Sequence, residues 1–151
     1  MALERIEKIF SIFGNFSVII GIGFAVYQIN MAIDSEKRGI AINAISEVKS
    51  NGFLKAQTRL AAGPEGEAYI NDKSLFLFDL NYVLNTYDAL AMYYINHIAD
   101  RCIIKQGVYQ TAFDFEKILD RTNCDNRRRA SFDQLLEMMK EEKTCNNVIM
   151  K

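Results

Sequence analysis

Four arginines in the stretch "DRTNCDNRRRASF", namely Arg121, Arg127, Arg128 and Arg129, are the densest group of ligand-suited side chains in the sequence. Guanidinium groups bind phosphate through planar, bidentate contacts, and backbone N–H groups at a helix N-terminus favour an anion as well. The cluster brackets the expected start of a last helix near Asn126, so a phosphate-bearing ligand is chemically reasonable. The same residues also suit a solvated basic turn that pairs with Asp120, Asp125 or anionic lipid head groups.

No other constellation points to a reaction. His97 is the only histidine, and metal sites recruit several His, Cys or carboxylate ligands at set spacings that are not found here. The chain has no G-x-S-x-G, no phosphate-binding glycine loop and no Cys-His pair with an orienting acid. The reading is therefore non-enzymatic, with no metal and no cofactor. Cys102, Cys124 and Cys145 fit neither a zinc pattern nor a C-x-x-C motif, and an odd count cannot pair fully. They read as three reduced thiols in a reducing compartment.

Composition frames these side chains. The 151 residues are 50% apolar and 25% charged, an ordinary globular balance. A net charge of −1 excludes a general nucleic-acid binder, which needs a strong basic field. One proline and eight glycines are too few turn-formers for an all-β protein.

"IFSIFGNFSVIIGIGFAVYQINMAI", residues 9–33, is a run of 25 residues with no charge. A bilayer core about 30 Å thick needs roughly 20 apolar residues of helix, whereas signal peptides carry about 7 to 15 and then a cleavage site. The run is expected to cross a membrane. Gly14, Ser17, Gly21, Ala25 and Gln28 fall on one helical face, and small residues at such intervals let two helices approach closely in lipid. A like span is the simplest partner, although a lone lipid-facing span also tolerates small residues. Arg5 and Lys8 precede the run while Lys37, Arg38 and Lys49 follow it, a slight bias that puts the C-terminal part in the cytoplasm.

Residues 34–151 form the second expected domain. Ile40, Ala41, Ala44, Ile45 and Val48 continue helical spacing out of the span, and "GPEGE" at 63–67 should end that helix. Asn71 or Asp72 is a candidate cap for the strongest soluble helix, Lys73 to Ala99, whose stripe includes Phe76, Leu80, Val83, Leu84, Tyr87, Leu90, Ala91, Tyr94 and Ile98. "RCIIKQGVYQ" reads as a turn. A helix holding Phe113, Phe115, Ile118 and Leu119 follows, and the last helix carries Phe132, Leu135, Leu136 and Met139. The expected fold is all-α: an N-terminal transmembrane helix (residues 1–33) and a small cytosolic helical bundle. Segment 101–129 is net positive and 61–100 net negative, an asymmetry that also suits docking of protomers.

Leu84, Asn85, Tyr87, Asp88, Leu90 and Ala91 match an "LN-x-(Y/F)-(E/D)-x-(L/I)-A" helix. In this the chain resembles small bacterial single-pass proteins of unknown function, with Asp88 where Glu is usual and no counterpart for the arginine cluster. Its size and layout also resemble membrane effectors of type III CRISPR defence, whose cytosolic domain binds cyclic tetra-adenylate. That resemblance implies a bacterial inner-membrane homo-oligomer, with a tetramer as the implied state, that senses the nucleotide and perturbs the membrane. A cyclic oligonucleotide needs cations for phosphates and ring faces for adenine. Arg121, Arg127, Arg128 and Arg129 with Tyr109 are the expected contacts. The alternative is a membrane-anchored scaffold that recruits a protein partner through the helices.

Overall fold

The computed structural model describes residues 2–70, 72–122, 124, 129–142 and 145, and their side chains except those of residues 2–15, 68, 70 and 73. Its elements are α1 (Ala2–Val48), α2 (Asn51–Ala61), α3 (Glu67–Ile70), α4 (Lys73–Ile95), α5 (Arg101–Arg121) and α6 (Ala130–Glu141). Among the described residues there is no strand, so the fold is all-α, with five full helices and the single turn α3. The chain divides into two compact units, residues 1–36 and 37–151.

In the first unit, α1 carries one stretch long and apolar enough to cross a membrane, beginning at Phe16. The residues Phe16–Ile33 rise about 27 Å as helix. Their large apolar side chains are exposed around the whole circumference, from Phe16 at 61% to Ile33 at 45%. Ser17, Gly21, Ala25 and Gln28 are exposed too. Gly14 is helical, and its surroundings lie outside the described side chains.

In the second unit α4 is the central helix, with α2, α3, α5 and α6 all packed on it. The expected stripe explains this, because Leu80, Val83, Leu84, Tyr87, Leu90, Ala91 and Tyr94 are all buried. Tyr87 is the hub. Its ring lies 5.5 Å from Phe53 of α2, 5.3 Å from Phe115 of α5 and 5.0 Å from Phe132 of α6. One aromatic from each of four helices thus meets at one point, in the edge-on and offset geometries that the ring quadrupole favours.

Several boundaries differ from the sequence expectation, each for a local reason. The helix that continues from α1 stops at Val48, because the extended Ser50 accepts a hydrogen bond from Phe53 N at 3.2 Å and starts a new helix, α2. The expected break at 63–67 does occur, with Gly63 in the left-handed region at φ 78°. Asp72 caps α4 through Ser74 N at 2.9 Å. That helix ends at Ile95 rather than Ala99, because His97 turns left-handed at φ 55°, and Ile98 is left exposed.

The expected turn "RCIIKQGVYQ" is instead the first half of α5. Asp100 caps it by accepting from Cys102 N and Ile103 N at 3.0 and 3.1 Å, and Ile104 and Val108 bury one face. Gly107 has a packing role there. A Cβ at that position would lie 2.5 Å from Ile45 Cδ1 and 2.8 Å from Ile45 Cγ1, so the glycine lets Ile45 of α1 seat against α5. The last helix starts at Ala130, with Arg129 extended before it. The expected start, Asn126, lies outside the described residues.

The cysteines also differ. Cys102 at the start of α5 is disulfide-bonded to Cys145, with Cα atoms 5.0 Å apart, so only Cys124 is a free thiol. The reading of three reduced thiols is corrected: two residues 43 apart are brought together by the fold, which spacing alone does not reveal.

Candidate functional site

The arginine cluster does not act as one group. Arg129 Nη1 pairs with Asp88 Oδ2 on α4, and Ser131 Oγ donates to Asp88 Oδ1. The guanidinium is thereby used to fasten the start of α6 to the middle of α4, and it is not available as a free phosphate ligand. Arg121 is exposed at the end of α5 and turns back to donate from Nε to Lys117 O at 3.2 Å, where a cation also complements the C-terminal dipole. Arg127 and Arg128 lie outside the described residues.

Tyr109 lies on α5, twelve residues before Arg121, a rise of about 18 Å. The fold therefore does not place this ring beside that arginine. What surrounds Tyr109 is a row that the sequence reading missed: Lys105, Tyr109, Phe113 and Lys117 follow one another at intervals of four, which puts successive members on adjacent turns. The Tyr109 and Phe113 rings are offset-stacked, 6.2 Å apart and only 10° from parallel. Lys105 Nζ lies 6.0 Å from the Tyr109 centroid, and Lys117 and Lys140 lie 4.4 and 5.7 Å from that of Phe113.

Those lysines have acidic neighbours, Asp114 at 3.3 Å from Lys117 and Glu116 at 3.5 Å from Lys140. Gln110 and Lys117 together hold the Asp114 carboxyl below its usual range. An exposed cation–ring contact is worth about 0.5–1 kcal/mol.

A second feature is a cleft of about 540 Å³ between the last turns of α1 and the outer face of α4, a size in the range of ligand sites. Its apolar lining is the buried Leu90, the half-buried Ile40 and Ala44, and the exposed Ala89. Asn43, Glu47, Tyr82, Asn85 and Tyr93 supply its polar rim. Tyr82 donates its hydroxyl to Glu47 Oε1 at 2.9 Å; burial first and then this carboxylate push the phenol above its ordinary pKa. Within the Leu84-to-Ala91 pattern, Leu84, Tyr87, Leu90 and Ala91 are buried and Asp88 is bound to Arg129 and Ser131. Only Asn85 turns a free polar group outward, into this cleft.

A third polar group is structural. Asp79 is 1% exposed and receives Arg59 Nε and Nη2 at 2.7 and 2.6 Å and the Tyr69 hydroxyl at 2.9 Å. This joins α2, α3 and α4 around one carboxylate. The hydrogen bond to Asp79 raises the Arg59 pKa, and burial with the same carboxylate pushes Tyr69 well above the tyrosine range. Among the described residues no group of three His, Cys, Asp or Glu side chains is placed to hold a metal ion.

No curated protein and no solved structure matches the chain. Residues 15–120 match a family described as a domain of unknown function, DUF4760. The match takes in the apolar stretch of α1, the cleft and the Lys105–Lys117 row, and stops before Arg121 and α6. Since it covers well over half of the sequence, the chain belongs to the DUF4760 family.

Proposed function

We propose that this protein is a single-span, non-enzymatic effector of antiviral, CRISPR-type defence, anchored in a bacterial inner membrane as a homo-oligomer. Its cytoplasmic bundle binds a cyclic oligoadenylate and the spans respond by perturbing the membrane. The observation that carries the anchoring is the apolar surface of Phe16–Ile33, exposed on every side; lipid or another span is the environment that removes such a surface from water. The small face of Ser17, Gly21, Ala25 and Gln28 supports contact between spans. Lys37, Arg38 and Lys49 support the cytoplasmic side for the bundle, whereas the Cys102–Cys145 disulfide argues against a reducing compartment.

The ligand end of this reading rests on the α5 row, with Arg121 and the undescribed Arg127 and Arg128 as further cations. Coupling requires that the nucleotide bind one arrangement of the protomers better than another, since equal affinity shifts nothing. Isothermal titration of the full chain in detergent micelles tests it. Saturable binding of cyclic tetra-adenylate, weakened at least tenfold in Tyr109→Ala and Lys117→Ala, is expected; no binding of any ring size removes the signalling role. Gly21→Leu should lower the yield of crosslinked oligomer in membranes, and an unchanged yield removes the span interface.

A second reading, a membrane-anchored adaptor that recruits a protein partner, draws on a different observation. The cleft between α1 and α4 has Glu47 as its single charged lining residue, which suits a partner other than a phosphate-rich ligand.

A further inference from the structure

We infer that the α1–α4 cleft binds an extended, basic segment of a partner polypeptide. The inference rests on the adaptor reading and is independent of the nucleotide one. Three observations combine. Glu47 stands on the cleft wall, and Tyr82 occupies only its Oε1, so the electrostatic preference is for Lys or Arg and against phosphate or carboxylate.

The side-chain amides of Asn43 and Asn85 face the same cleft from opposite helices, α1 and α4. Neither has a hydrogen-bond partner among the described residues. A primary amide offers both donors and an acceptor, the complement of a peptide group. A helix has satisfied its own backbone groups and has little use for such amides, whereas an extended segment presents an N–H and a C=O at every residue.

The apolar lining decides the remaining question, that of width. Ala44 and Ala89 carry side chains no larger than a methyl group, so a backbone can lie close against α1 and α4 while the half-buried Ile40 receives an apolar side chain of the segment. Tyr93 closes one side with a flat, partly exposed ring, over which a Lys or Arg stem can lie.

The test uses the full chain in zwitterionic micelles and two fluorescein-labelled 15-residue peptides, identical in their Ser, Asn and Leu residues but carrying either four Lys or four Glu. Empty micelles correct for background. Anisotropy should show saturable binding of the Lys peptide, at least tenfold tighter than that of the Glu peptide. Glu47→Gln, which retains an acceptor for Tyr82, should lower it about tenfold, and Asn85→Ala about fivefold. Glu47→Lys should reverse the charge preference. Circular dichroism of each variant should match the parent chain.

Binding that ignores peptide charge, or that survives Glu47→Lys unchanged, overturns the cleft assignment while leaving an adaptor role in place. Failure of both peptides to bind overturns the cleft assignment as well, and leaves recruitment through the other helices in place. Loss of self-association in Glu47→Lys, without any peptide effect, overturns the inference by giving the cleft to a second copy of this chain.

Discussion

Arg129, the residue before α6, is bound to Asp88 in the middle of α4, 41 positions earlier in the sequence. The contact makes a residue that looks like a ligand-binding arginine into a clasp between two helices. Arg129 is 38% exposed and Asp88 24%, so solvent screens the pair and its coupling is modest, roughly 1 kcal/mol. A double-mutant cycle with Arg129→Ala and Asp88→Asn should show non-additivity of that size in urea unfolding. Strict additivity would mean that the pair does not hold α6.

The carboxylate of Asp79 is a harsher case. It is buried, and replacing it with Ala leaves the Arg59 guanidinium and the Tyr69 hydroxyl without their acceptor. Breaking such a pair from one side costs about 3 kcal/mol, less whatever water recovers at Arg59, which is 37% exposed. Arg59→Ala, which strands the buried Asp79 carboxylate on the Tyr69 hydroxyl alone, should therefore unfold at lower urea than Asp79→Ala. A lower midpoint for Asp79→Ala would show that the carboxylate does not stay charged without its guanidinium.

Gly107 and Ile45 should behave as a lock. Gly107→Ala improves helix propensity by about 1 kcal/mol, yet its Cβ would strike Ile45, and overpacking typically costs about 1–3 kcal/mol. The expected net effect is destabilisation. Adding Ile45→Ala should restore part of the loss, which thermal melts by circular dichroism can read. A Gly107→Ala protein more stable than its parent would show that Ile45 moves aside freely.

Reduction of Cys102–Cys145 opens a loop between residues 43 apart in sequence. The chain-entropy argument assigns a closure of this length about 4 kcal/mol. Gln106 also donates to Cys145 O at 3.0 Å and Lys105 to Glu142 O, so the segment keeps some attachment when reduced. Treatment of the purified full chain with a phosphine reductant should lower its melting temperature, with Cys145→Ala showing the lower value under both conditions. Trapping thiols in intact cells with a membrane-permeant maleimide would then report whether the pair is oxidised where the protein resides.

Two tyrosine hydroxyls, those of Tyr87 and Tyr94, are buried without a hydrogen-bond partner among the described residues. Burial and the Glu142 carboxylate, opposed in part by Arg101, push Tyr94 up to about 12 from 10.0, and burial raises Tyr87 as well. The folded state thus holds the proton more tightly than the unfolded state. This contribution to stability is complete below pH 10 and is lost as pH rises through 12. Tyr94→Phe should flatten the fall in stability between pH 10 and 12. At pH 7 it should be neutral or stabilising by about 1 kcal/mol, because it removes an unsatisfied polar group. A large loss at pH 7 would reveal a partner for that hydroxyl.

Much of the architecture is legible in the sequence itself. The apolar run, the break at Gly63-Pro64, the Asp72 cap and the α4 stripe are local signals, set by backbone sterics, capping and helical period. The row formed by Tyr109 with Lys105, Phe113 and Lys117 is less legible, because "RCIIKQGVYQ" carries a glycine and reads as a turn. Asp100 as a helix cap, and Ile104 and Val108 four apart, are the signals that mark this segment as helix.

The sequence by itself determined that this chain is helical, that one stretch of it is apolar enough for a membrane, and which side chains carry charge. Only the tertiary structure decided what those charges do. Arg129 meets Asp88, Arg59 meets Asp79, Cys102 meets Cys145, and Asn43 faces Asn85 across a cleft. The physical reason is that helical period and capping act over a few residues, whereas each of these partnerships joins positions 20 to 43 apart. Their meeting depends on how the helices pack, and no local pattern encodes it.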